Sequence, residues 1–347
     1  MDTLVVGPST DLRYLTGFDV KPSERLTVLV LPRDGAPRLV MPEFELPTAA
    51  HLPDLVERVG WKDGEDASAV ACGLFATGEG RPPRVAFSAQ LHARFLVGLL
   101  DAGLRAELVD GDVVLAPVRV RKSPFELDAL RRASGVADRV VEELAAHGFR
   151  GASERDVVRT IQELLAAHGN EPVGSGLAAF GENSASPHHH PSERILAAGD
   201  TVILDFGGAS DGYRADLTRM FQFGEPDPEV RRVHAIVDEA NQLAFEAVRP
   251  GVTAAEIDAV ARRHIDDSGL GEHFTHRTGH GIGLDVHEPP YIVAGNTTAL
   301  EPGMAFTIEP GVYFEGSFGV RVEDVFLVTD DGAERLNTSS HAIRVVD

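Results

Sequence analysis

Two stretches in the carboxyl-terminal 150 positions, TVILDFGGASDGYRADLTRMF and AFTIEPGVYFEGSFGVRVEDVFLV, place apolar runs of strand-like period on either side of a central turn, and each predicts a β-hairpin. Other segments carry helix punctuation. Ser123 as N-cap, Pro124 at the first helical position and Glu126 at the third open a helix that runs to about His147 and stops at Gly148. Ser153 caps a second, running to His168 before Gly169, and further helices are predicted from about Pro228 to Val248 and from Thr253 to Asp267. GASERDV at 151 and GVTAAEI at 251 begin alike, and the helices that follow end alike at Gly169 and Gly269. That recurrence predicts an internal duplication in which each half supplies a helix pair and then strands. Ahead of it, LTVLVLP, APRLVMP, PRVAFS and DVVLAPVRV read as strands among helical stretches such as AQLHARFLVGLLDAG. The expectation is an α+β chain of two domains, a small α/β domain over 1–121 and a larger one over 122–347, with the junction near Lys122.

Composition narrows the function classes. With 32 basic and 54 acidic residues the formal net charge is −22, which repels phosphate backbones and anionic lipid surfaces and makes nucleic acid and membrane poor partners. The chain is 43% hydrophobic, its mean hydropathy is near zero, and no apolar run approaches the roughly 18 residues of a membrane span. MDTLVVGPSTDL lacks a basic leader region and reads as a first strand, not a signal peptide. Cys72 is the single cysteine, so an intramolecular disulfide and a cysteine metal cluster are excluded, and the expected compartment is the cytosol.

The chemistry is carried by acids. Asp205 and Asp216 sit equally far from a turn centred between Ser210 and Asp211, and are expected to face each other across the first hairpin. Glu309 and Glu323 are likewise equidistant from Gly316 in the second. Directly opposed residues have Cβ atoms roughly 4.5 to 5.5 Å apart, so like charges there repel unless a cation lies between them or one carboxyl keeps its proton. With His280, which lies in sequence between the pairs, they form an oxygen-rich set with one nitrogen. Such a set suits two divalent ions, Mn²⁺ first, with Co²⁺, Zn²⁺ or Fe²⁺ as alternatives. Two metals about 3.5 to 4 Å apart can share a bridging water and lower its pKa, which is hydrolytic chemistry. Glycines at 279, 281 and 283 let backbone pass close to such a site.

In order and spacing, LDFGGASDGYRADLTR, TGHGIGLDVHEPP, TIEPGVY and VRVED resemble the metallopeptidases of the pita-bread fold. Within that family the chain resembles the prolidase and aminopeptidase P branch, because a separate amino-terminal domain of the creatinase/prolidase type precedes the catalytic one. The resemblance is strong from about 172 to 326; over the first 118 residues it rests on size and the phrase DLRYLTGF. It implies that Asp205 chelates one metal, that Asp216 and Glu323 bridge, and that His280 and Glu309 complete the second, around a bridging hydroxide. Glu309 would also act as general acid/base. His188 resembles the histidine that faces the substrate amide, and His287 its partner at the tetrahedral intermediate. His276 matches a further substrate-side histidine, and Arg321 an arginine that holds the carboxylates in place.

A lone histidine is more often packed or at the surface, the reading kept for His51, His92, His189, His190, His234 and His264, although the triplet leaves open which of His188 and His189 faces substrate. Arg321 also fits an ordinary strand salt bridge, and Tyr291 plain packing. The implied activity is Xaa-Pro hydrolysis, first as a dipeptidase and homodimer, with an Xaa-Pro aminopeptidase on longer peptides as the alternative. Prolidases of this kind often carry an arginine four residues after the VHE histidine, where it can grip a dipeptide carboxylate; here that position is Tyr291, so a free carboxylate needs another cation. A metal-free binding module or a creatinase-like amidinohydrolase on the same fold is disfavoured, because all five ligand positions are filled.

Overall fold

The computed structural model describes residues 1–75, 81–174, 176–225 and 227–346, and the chain divides into two compact units, Met1–Val118 and Arg119–Asp347. The first is built on strands β1 (Thr3–Val6), β2 (Val28–Pro32), β3 (Arg38–Pro42), β4 (Glu57–Trp61), β5 (Arg84–Phe87) and β6 (Glu107–Asp110). They form one mixed sheet in the order β4-β3-β2-β1-β5-β6. Period-two alternation sends Leu4, Val6, Leu29, Leu39 and Met41 into one core and Val5, Val28, Val30 and Val40 into another, so both faces are covered. Helices α1 (Thr10–Thr16) and α4 (Asp112–Arg119) give Leu12 and Leu115 to the first core, and α2 (Ala67–Cys72) and α3 (Ala93–Asp101) give Ala71, Phe95 and Leu99 to the second.

One expected strand is a helix. DVVLAPVRV is β-branched by composition, yet α4 occupies it. The Asp110 carboxylate takes the Asp112 N–H at 3.0 Å and starts the helix, which then buries only Leu115 and part of Val114, leaving Val113 and Val118 exposed. Capping and one-sided burial override strand propensity here.

The second unit repeats a motif. Helices α5 (Pro124–His147) and α6 (Glu154–Ala167) are followed by the short β7 (Glu171–Pro172), then β8 (Leu177–Phe180), β9 (Thr201–Phe206), β10 (Gly208–Ser210), β11 (Tyr213–Arg214) and β12 (Leu217–Phe223). Helices α7 (Pro228–Ala247) and α8 (Ala254–Asp267) are followed by β13 (Gly279–Gly281), β14 (Glu288–Ile292), β15 (Ala305–Ile308), β16 (Gly311–Phe314), β17 (Phe318–Arg321), β18 (Asp324–Val328), β19 (Ala333–Arg335) and β20 (Arg344–Val346). The second helix of each pair opens with a capping box, Ser153 with Asp156 and Thr253 with Glu256. Their N-cap residues make matching bridges to Ile195 and Ala299. One half packs α5 and α6 against Val202, Leu204, Phe206 and Phe221, the other α7 and α8 against Phe306, Ile308, Phe326 and Val328. The larger sheets run β20-β12-β9-β8 and β14-β13-β15-β18-β19, and they meet where Thr218 and Glu323 exchange backbone hydrogen bonds at 3.4 Å.

The second hairpin has the expected register. Gly311 opposes Arg321 and Ile308 opposes Asp324, which places Glu309 across from Glu323, with Gly316 at the turn (φ 71°). The first hairpin is displaced by two residues: Asp205 opposes Thr218, not Asp216. Its turn is Asp211-Gly212, both at positive φ (51° and 84°), the two-residue turn whose twist suits a hairpin. Because side chains alternate, a displacement of two keeps Asp216 on the face of Asp205, as its diagonal neighbour.

Candidate metal centre

Asp205 continues the face of Ile203 on β9, Asp216 precedes Thr218 on β12, His280 is the middle residue of β13, and Glu309 and Glu323 flank the junction of the second hairpin. β13 brings His280 in because Gly279 and Gly281 have no side chains: a Cβ on Gly279 would lie 1.9 Å from the Thr307 carbonyl oxygen, and one on Gly281 2.3 Å from that of Pro289. These glycines let the neighbouring strands close on the histidine.

Ligand atoms of Asp216, His280 and Glu323 all lie within 4.8 Å of one another. His280 Nε2 is 3.2 Å from Glu309 Oε1 and 3.7 Å from Asp216 Oδ2. Its Nδ1 faces the Gly281 carbonyl at 3.2 Å, an arrangement that puts the proton on Nδ1 and turns the Nε2 lone pair towards the carboxylates. Burial, together with nearby His287, pushes the His280 pKa down to about 3, so the ring is neutral. Asp205 stands beside Asp216, and Arg321 Nη2 donates to its Oδ2 at 2.5 Å.

The acids repel. Burial, then Asp205 and Glu309, raises Asp216 well above the usual range; burial, then Asp216 and the other acids, does the same to Glu323. Burial pushes Glu309 up to about 7 although Arg321 opposes it. A desolvated oxygen-rich set of this kind, with one neutral nitrogen, is the donor chemistry of divalent cations.

Arg321 is the hub of this cluster. Besides Asp205, its Nε donates to Thr218 Oγ1 at 2.9 Å, and that hydroxyl donates to Glu323 Oε2 at 2.7 Å. Its Nη1 donates to the Tyr313 hydroxyl at 2.8 Å, which is 3.0 Å from His276 Nε2. His276 Nδ1 meets the Arg277 carbonyl at 2.7 Å, so both ring nitrogens are engaged inside the protein. Thr218 and Tyr313 were not singled out in the sequence; the available signal was parity, because Thr218 is two residues from Asp216 and Tyr313 is two from Gly311 in the same hairpin.

All five candidate ligands, with His188, His276, His287 and Arg321, line one cavity of about 610 Å³. The His287 ring lies edge-on to that of His280, centroids 4.2 Å apart, and burial with neighbouring Arg277 lowers its pKa. In the histidine triplet, His189 Nε2 is bound to the buried Glu154 carboxylate at 2.8 Å. His188 is exposed, and no hydrogen bond ties its ring to another described residue. Tyr291 is 37% exposed and carries the Arg277 guanidinium 4.6 Å above its ring; Arg277 lines the cavity and Tyr291 does not.

Comparison with known proteins agrees along the whole chain. The sequence model of metallopeptidase family M24 matches residues 128–330, and that of the creatinase/prolidase N-terminal domain matches residues 1–121. A "Probable dipeptidase PepE" of Mycobacterium tuberculosis is 43% identical over 349 residues, covering 99% of this chain and 92% of that protein. The crystal structure of dipeptidase PepE from Mycobacterium ulcerans is 42% identical with a TM-score of 0.93, covering 100% of this chain and 93% of the other. Recombinant prolidase from Thermococcus sibiricus is 34% identical with a TM-score of 0.94, covering 99% and 94%.

Proposed function

This chain belongs to metallopeptidase family M24, and we propose that it is a metal-dependent dipeptidase hydrolysing Xaa-Pro bonds with two divalent ions, Mn²⁺ first among them. The observation that carries the reading is the convergence of Asp216, His280, Glu309 and Glu323, with Asp205 alongside, on the wall of a single cavity. Relatives described as a dipeptidase and a prolidase support the substrate class.

These five residues would hold the divalent cations, which would supply Lewis acidity and a nucleophilic water at neutral pH. The protein's own groups do the rest. Glu309 takes a proton from the attacking water and returns it to the leaving nitrogen. His188 and His287, on the cavity wall, donate to the oxygen that gains charge as the carbonyl becomes tetrahedral; a neutral imidazole can do so. Arg321 holds Asp205 directly and Glu323 through Thr218, which fixes the acids against their mutual repulsion. His276, spent on Tyr313 and the Arg277 carbonyl, acts by holding the wall and not by touching substrate.

The test is metal content by mass spectrometry together with hydrolysis of an Xaa-Pro, Xaa-Ala and Xaa-Pro-Xaa panel. The reading expects about two ions per chain, and Xaa-Pro as the preferred substrate. Preference for Xaa-Pro-Xaa would move the protein to the aminopeptidase reading. A metal-loaded protein that cleaves none of the panel would leave a binding module.

A further inference from the structure

The cavity has two arginines, and only one is free to meet a guest. Arg321 is 2% exposed, and its Nε, Nη1 and Nη2 each donate to a protein oxygen. Arg277 is different: among the described residues no hydrogen bond or ion pair engages its guanidinium, in a chain whose acids outnumber its bases 54 to 32. It is nevertheless not loose. The group lies over the Tyr291 ring at 4.6 Å, and its charge is felt at His280, His287 and Glu309. The ring lies against the guanidinium, whose N–H groups have no hydrogen-bond partner among the described residues, and a guanidinium edge is suited to receive a carboxylate through two parallel hydrogen bonds.

We propose that Arg277, seated on Tyr291, is the residue that grips the free carboxylate of the dipeptide and thereby selects dipeptides over longer substrates. The inference rests on the dipeptidase reading above. In an Xaa-Pro dipeptide the carboxylate is attached to the carbon next to the scissile nitrogen, so a cation recognising it must stand close beside the metal centre, as Arg277 does. One added residue carries the terminal charge outward by about 3.5 Å. A cation is needed on electrostatic grounds as well, since the carboxylates of the centre repel a second anion. Tyr291 is a positioning residue: it holds the guanidinium in place and spares it the entropy of being fixed by substrate.

The experiment compares Ala-Pro, Ala-Pro-amide and Ala-Pro-Ala on the manganese-loaded wild type and on Arg277→Gln, Arg277→Lys and Tyr291→Ala, with metal content and melting temperature confirming that each variant is folded and loaded. Wild type should favour the acid over the amide, mainly through KM. Arg277→Gln should collapse that ratio by about 10- to 100-fold. Arg277→Lys should recover part of it, and Tyr291→Ala should fall between wild type and Arg277→Gln. A wild type indifferent to amidation, or an Arg277→Gln variant that loses acid and amide activity in equal proportion, overturns the role of Arg277 while leaving the dipeptidase reading intact. A loaded wild type that cleaves none of the three substrates overturns both.

Discussion

Arg321 Nη2 donates to Asp205 Oδ2 at 2.5 Å, and the same guanidinium reaches Glu323 through the Thr218 hydroxyl. One buried fork thus sets the position of an acid from each half of the duplicated unit. Arg321→Lys keeps the charge and loses the fork, so it should weaken metal binding and turnover together, by about 10- to 100-fold. Isothermal titration with Mn²⁺ alongside kcat checks this; unchanged affinity would reduce Arg321 to an ordinary strand salt bridge.

Asp216 and Glu323 belong to the acid cluster, and in the absence of cations each is repelled by its neighbours. Asp216→Ala and Glu323→Ala should therefore abolish metal retention and lower activity at least about 1,000-fold. Their metal-free forms should melt no lower than metal-free wild type at pH 8, because a repulsive buried charge has gone. A variant retaining both ions would contradict the ligand assignment.

The same repulsion gives the metal-free protein a pH dependence of definite sign. Glu309 titrates at about 7 in the fold against an ordinary 4.5, so the folded state binds more protons than the unfolded one between those values. Stability from this group is complete below about 4.5 and is lost as pH rises through about 7, by about 3 kcal/mol. The raised Asp216 and Glu323 act in the same direction. Melting of the chelator-treated protein should accordingly fall between pH 5 and pH 8, and saturating Mn²⁺ should reverse the trend, since binding displaces those protons. A metal-free melting temperature flat across that range would count against three crowded acids.

How far the sequence reveals this arrangement varies with the kind of constraint. Helices α5, α6 and α8 are legible to within a residue or two because their ends are written locally, in Ser123, Ser153, Thr253 and the glycines that follow, and α7 because Pro228 opens it. The Glu309–Glu323 register is legible because Gly316 fixes the turn. In the first hairpin the same symmetry argument misplaces Asp205's partner by two positions, because Asp211-Gly212 takes the turn; an even error spares the face, so the two acids remain together. α4 is missed because one buried leucine and a cap decide it against β-branched composition. Arg277 is missed for another reason. Its guanidinium has no hydrogen-bond or ion-pair partner among the described residues and lies over Tyr291, and neither fact is visible until β13 and β14 pair.

His287 lies edge-on to His280 at 4.2 Å and lines the cavity outside the Asp216–His280–Glu323 group, so His287→Ala should lower turnover while leaving metal content unchanged. Loss of one oxyanion donor costs about 100- to 1,000-fold in kcat where the donor is fully engaged. Loss of metal with this substitution would instead make His287 a ligand.

Glu154 makes the last case, since it acts through the loop that carries the histidine triplet. The carboxylate is fully buried and accepts from Phe180 N at 2.9 Å, Asn183 Nδ2 and His189 Nε2 at 2.8 Å, and both the N–H and the hydroxyl of Ser192, at 2.8 and 2.6 Å. Burial works against its charge, but the hydrogen bonds from Ser192, Asn183, His189 and Phe180 outweigh it and hold the carboxyl below the ordinary range. The contribution to stability is therefore present above the ordinary carboxylate pKa of about 4.5 and lost as pH falls through the lower folded value. Glu154→Gln offers one acceptor oxygen and an NH₂ group that must face donors, so it should destabilise the protein by about 2 to 4 kcal/mol. Because His188 is the neighbour of His189, the loosened loop should also lower kcat about tenfold with both ions still bound. Denaturant unfolding and metal analysis of the variant decide the matter: full stability with normal turnover would show that the loop holds its shape without Glu154.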